Sequence, residues 1–143
     1  MEKITILNSH STYKNRGQVA QQDADYTLTG QVRPHDHIAF DKGSDIPELD
    51  ISVKSARFTL ATTLKGDTLA EMLNDYLNRV ASTTALYITK DRIGYRMTMT
   101  EFKAFIEEFG TVEYASAKNG GGKVVRCKSE SKAMLKWLES QVA

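Results

Sequence analysis

Apolar residues recur along this chain with two different periods, and the change from one to the other marks out its elements. Over 67–82, Leu69, Met72, Leu73, Tyr76, Leu77 and Val80 fall on one continuous helical stripe. Thr68 with Glu71 three positions on predicts a capping box at its start. Phe102, Phe105, Ile106 and Phe109 make a second stripe over 100–110, and Gly110 is placed to stop that helix. The segment 129–142 is amphipathic with Met134, Leu135 and Leu138 inward, and Trp137 falls off the strict stripe as an interface residue would. A weaker helix is predicted over 15–30, where Val19, Ala20, Ala24 and Leu28 recur and Gly30 ends the run.

The remaining apolar residues follow the strand period. Segment 48–61 is the clearest case, with Ile51 and Val53 on one side and Asp50, Ser52 and Lys54 on the other. Two buried strands are expected at 83–90 and 94–99, and two more, 111–117 and 123–128, joined by the turn KNGGG. The stretch 35–40, HDHIAF, alternates as an edge strand does, just after a helix-blocking Pro34. Residues 4–8 are a short strand or a lead-in. The order of helices and strands predicts an α/β fold of the mixed α+β type in a single domain, 1–143, with a C-terminal hairpin and helix.

Charge and composition narrow the function only a little. The formal net charge of +1 excludes a strongly basic polyanion binder, so any nucleic-acid surface must be local. Cys127 is the one cysteine, which fits a reducing compartment. No apolar run approaches the ~18 residues of a membrane span, and the opening MEKITILNSH lacks a signal-peptide layout. A soluble cytoplasmic protein without membrane contact is expected.

The candidate chemistry centres on GSDIPELDISVK, residues 43–54, where Asp45, Glu48 and Asp50 precede Lys54. Carboxylates supply oxygen ligands to Mg²⁺. A neighbouring lysine orients or deprotonates a water, or offsets developing charge. The same alternation also describes any half-exposed antiparallel strand, with Lys54 in a surface ion pair of little energetic worth. His35 and His37 share one strand face and suit a transition metal, although no third ligand stands out. Ser52 with Lys54 has the spacing of a serine–lysine dyad, with no oxyanion hole in view. Lys118, Lys123, Arg126 and Lys128 surround the glycine turn and form the most basic stretch, which Lys14, Arg16 and Arg57 extend.

The segment resembles the core of the PD-(D/E)XK nuclease superfamily. Asp45 stands at the motif aspartate, Ser52-Val53-Lys54 at the acidic-x-Lys tripeptide, and Gly17 to Gln21 at the Gly-xxx-Glu of the family's first helix. The resemblance spans roughly residues 15 to 90 and departs at two places, because Ser52 and Gln21 replace carboxylates. It implies a restriction-endonuclease-like core with a central mixed sheet flanked by helices. It also implies Mg²⁺-dependent hydrolysis of DNA, with Asp45 and Asp50 as metal ligands, Glu48 as a further acid and Lys54 positioning the water. Lys118, Lys123, Arg126, Lys128, Arg57 and Arg16 would hold the phosphate backbone, and a homodimer would reach both strands. The two departures favour a second expectation: a non-catalytic module on the same scaffold that binds nucleic acid or inhibits a protein partner.

Overall fold

A computed structural model describes residues 1–115 and 121–142. In chain order these form strand β1 (Glu2–Thr5), helix α1 (Arg16–Thr29), strand β2 (Ile51–Ser55), helix α2 (Leu69–Arg79), strands β3 (Thr84–Ile88) and β4 (Ile93–Thr98), helix α3 (Met99–Phe109), strands β5 (Gly110–Tyr114) and β6 (Lys123–Cys127), and helix α4 (Lys132–Gln141). The mixed α+β class expected from the alternating periods is the class observed.

Four strands make one sheet in the order β1-β4-β3-β2, and β5 pairs with β6 in a separate antiparallel ribbon. β2 runs parallel to β3, with Val53 opposite Leu86, and α2 provides the crossover that a parallel pair requires. β4 is antiparallel to both β3 and β1. The turn between β5 and β6, with the expected phosphate-binding Lys118, falls largely outside the described residues.

Strand alternation sorts the core onto two faces. Ala85, Tyr87, Tyr95 and Met97 point to the side covered by α2, α3, α4 and β6, where they meet Met72, Tyr76, Phe102, Phe105 and Met134. Leu86, Ile88 and Ile51 point to the other side, against Ala20 and Ala24 of α1. Burial of each large side chain contributes about 1.5–3 kcal/mol, so the aromatic side dominates stability.

Helix ends follow local chemistry. Asn15 caps α1, accepting from the amides of Gly17 and Gln18, and Gly30 closes it at φ 77°, a conformation that favours glycine. Thr68 accepts from the Glu71 amide, but Glu71 returns its carboxylate to the Thr68 hydroxyl and not to its amide, so the expected box is half formed. The complete reciprocal box belongs to Thr98 and Glu101 of α3. Gly110 ends α3 at φ −89°, and its role is clearance: a Cβ there would lie 2.6 Å from the Ile106 carbonyl oxygen.

Several expectations are corrected. Residues 35–40 form no strand: Phe40 instead leaves the backbone to stack its ring on Tyr76, with centroids 5.1 Å apart. The strand predicted over 48–61 shortens to Ile51–Ser55, and beyond it Leu60 donates to the Val125 carbonyl, docking that segment on β6. Trp137 is no outward interface residue, because it packs on Phe105 and Phe109 at 5.9 and 5.7 Å.

Candidate functional site

β2 is the last strand of its sheet, so the N–H and C=O groups of alternate residues face away from β3. Ile51 satisfies its own through an antiparallel bridge to Ile46. Two residues on, the Val53 N–H donates to Asp45 Oδ2 at 2.8 Å. The short loop between these partners is a single 3₁₀ turn, Pro47–Leu49, closed by Asp50 at φ 55°. Tight closure of this turn brings Asp45 back alongside the strand and leaves its other carboxylate oxygen uncommitted among the described hydrogen bonds.

Lys54 follows Val53 and points to the opposite face, into the aromatic side of the core. Its ammonium lies 5.8 Å from the Phe58 ring centroid and 5.9 Å from that of Tyr76. Desolvation pulls the Lys54 pKa below the ordinary lysine range, while the negative charge of Asp45 works in the other direction. Part of the Lys54 side chain remains accessible. The expected solvated polar face is thus a crowded one. The fully buried Tyr76 hydroxyl has no hydrogen-bond partner among the described residues. Burial and then the Asp45 charge push its pKa up; Ser52 lies near enough to offset this slightly without reaching hydrogen-bond geometry.

The other acids of the segment are engaged elsewhere. Asp50 does not continue the polar face of β2, because its left-handed backbone turns it out of the strand. Its carboxylate accepts from the Ser44 hydroxyl at 2.7 Å and the Thr83 amide at 3.3 Å, and these bonds hold its pKa down. Glu48 is paired with Arg33, which also grips the buried Asp25 of α1. That triad ties the 31–50 loop to the helix. Burial opposes the charged form of Asp25, but its bonds to Arg33 and Thr29 prevail and keep its pKa low.

Gln21 and Asp45 both line a cleft of about 230 Å³ beside α1, with Asp25, Arg33, Asp36 and Ile38. The Gln21 carbonyl is 2.8 Å from His35 Nδ1, so this histidine is committed locally. Among the described residues no three histidine, cysteine or acidic side chains converge as a metal-binding group. The Cys127 thiol is buried and its pKa pushed up to about 12 by desolvation, which makes it inert.

The basic residues are mostly neutralised. Lys123 pairs with Asp67 at 3.3 Å, Arg57 with Glu113 at 2.7 Å, and Arg126 reaches the same glutamate at 3.9 Å. Arg16 stands 3.9 Å from Glu130, and Lys128 is exposed. Tyr76, which lies under Lys54, was legible only as one member of a helical stripe. Lys90 and Arg92, which line a second cleft with Arg16, carried no sequence signal because they belong to an ordinary polar turn.

No family model matches the chain, and comparisons with curated proteins and with solved structures likewise return no match. Among the described residues no helix is long and apolar enough to cross a membrane.

Proposed function

We propose that this chain is a nuclease-like phosphodiesterase that acts on DNA with a divalent cation, through Asp45 and Lys54. The observation that supports the reading is the hydrogen bond from the Val53 amide to Asp45, which holds a carboxylate at the edge of a strand that opens a parallel crossover, close enough for its charge to act on the desolvated Lys54.

The donor set suits a weakly held hard cation. Mg²⁺ is commonly bound by one or two carboxylates, with water and substrate phosphate completing its shell. Asp45 offers one oxygen, and the Val53 carbonyl shares the outward direction of its amide. Gln21 lines the Asp45 cleft, with its carbonyl held by His35. When bound, the cation supplies Lewis acidity toward a phosphoryl oxygen.

Lys54 supplies the proton chemistry. With its pKa lowered, a larger neutral fraction of the amine is available to take a proton from the attacking water. One P–O bond forms to that water and one P–O ester bond breaks, the leaving oxygen taking a proton from solvent. The resulting ammonium then faces the negative charge spread over the phosphoryl oxygens.

The lack of a three-acid cluster among the described residues, and the engagement of Glu48 and Asp50 by other partners, favour the second reading: a non-catalytic module that binds nucleic acid or inhibits a protein. Plasmid nicking in Mg²⁺ or Mn²⁺ separates the two. Cleavage that disappears in both Asp45→Ala and Lys54→Ala supports the enzyme. DNA binding that neither variant alters, with no cleavage by the wild type, supports the module.

A further inference from the structure

Helix α1 separates two clefts of opposite charge. The cleft at Asp45 is lined by Asp25, Asp36 and Asp45 against one cation, Arg33. On the other flank of the helix, a cleft of about 140 Å³ is lined by Arg16, Lys90 and Arg92 against one carboxylate, Asp23. Asp23 is itself spent, since it accepts from the Ser9 amide and hydroxyl and from Arg92. Glu130 lies beside the cleft, taking the Lys90 amide at 2.9 Å and reaching Arg16 only at 3.9 Å.

Two further features mark this cleft as a ligand site. It lies where the parallel strands β2 and β3 end, at Ser55 and Ile88, and the carboxyl ends of parallel strands are where such sheets receive ligands. Ser55 is 8% exposed, and by strand alternation it points to the α1 face with Ile51. Its hydroxyl makes no hydrogen bond among the described residues and is not one of the sealed, unpaired atoms, so it is open to a ligand from the cleft.

We propose that this cleft is a subsite for a backbone phosphate of nucleic acid, with Arg16 and Lys90 holding the charge, Arg92 remaining paired with Asp23, and Ser55 donating a hydrogen bond. Only the identity of the anion, a nucleic-acid strand also presented to Asp45, rests on the phosphodiesterase reading. Ser55 stands two residues beyond Val53, about 7 Å along β2, so the subsite follows along the same strand from the residue that binds Asp45.

The test is fluorescence anisotropy of a labelled DNA duplex with the full chain in EDTA, where cleavage is silent. Arg16→Gln/Lys90→Gln is expected to weaken binding roughly tenfold at low salt and to reduce the slope of log K against log salt by about 2. Ser55→Ala, a small change that leaves the fold intact, is expected to weaken binding with little change in slope. Lys103→Gln/Lys136→Gln, which removes equal charge from α3 and α4, should leave affinity near wild type. Equal losses in the two double variants, unchanged binding in Arg16→Gln/Lys90→Gln, or a wild type that ignores DNA would each overturn the subsite. Selective loss in Arg16→Gln/Lys90→Gln, with no nicking by any form in Mg²⁺, upholds the subsite and removes the phosphodiesterase reading alone.

Discussion

The Lys54 ammonium lies 5.9 Å from the centroid of the Tyr76 ring, so a strand cation and a helix aromatic share one buried corner at the sheet edge. The ring stabilises the cation, but the phenol oxygen at its rim is buried without a partner among the described residues. Leaving such a group unpaired costs about 1–3 kcal/mol. Tyr76→Phe keeps the ring and removes the hydroxyl, so it should raise stability by about 1 kcal/mol. Urea denaturation measures this, and a clear loss of stability would mean that the hydroxyl has a partner after all.

Lys54→Met tests the desolvation directly. The folded pKa is depressed, so below it both states carry the charge and the folded state bears the full cost of holding it. As pH rises from that pKa toward the ordinary lysine value of about 10.4, the unfolded chain binds a proton that the folded one lacks, and wild-type stability increases. Lys54→Met should therefore be more stable at neutral pH, on the order of 1 kcal/mol, with the advantage shrinking as pH rises. An advantage independent of pH would show that the ammonium is solvated.

Arg33 is expected to matter most at neutral pH. Asp25 and Glu48 both have lowered pKa values, so each contributes stability that is present above its ordinary pKa and lost as pH falls through its folded value. Arg33→Gln leaves the Asp25 carboxylate buried without its cation. The deficit against wild type should be full near neutrality and shrink toward about pH 3, read from urea midpoints across that range. A constant deficit would point to lost packing of the long side chain.

Gly110→Ala should cost about 1–3 kcal/mol by overpacking. The backbone angle there suits alanine, but the added Cβ meets the Ile106 carbonyl oxygen at 2.6 Å and its Cγ2 at 2.7 Å. Thermal unfolding of this variant beside Gly30→Ala separates the mechanisms, because no atom lies near the Gly30 Cβ position and only its positive φ resists the change.

The helices were legible because their stripes are long and apolar. Phe102, Phe105, Ile106 and Phe109 all proved buried, and α3 begins and ends within a residue of the expected bounds. Alternation at 35–40 misled because a strand needs a neighbour, and Phe40 finds an aromatic ring there instead. Ser52 and Lys54 read as a wet face, since periodicity shows which residues share a side but not what covers it. The covering residues, Phe58 and Tyr76, come from beyond the strand and from α2. The buried acids of α1 were invisible for a similar reason: Asp23 draws its cation from Arg92, distant in sequence, and Asp25 from Arg33 in the loop just beyond the helix, where no periodicity places it. The charge of Asp45 reaches Lys54, whereas the ties of Asp50 to Ser44 and Thr83 depend on a left-handed residue that no motif announces.

The pairing of Glu2 with Arg96 sets the timetable of folding. During synthesis, the first strand leaves the ribosome long before the partner that completes its edge, and it stays without a ladder while α1, β2, α2 and β3 follow. Closure of the sheet therefore waits for a contact between distant parts of the chain, which is the slow kind to form, and the exposed early strand is the part most in need of shelter from other nascent chains.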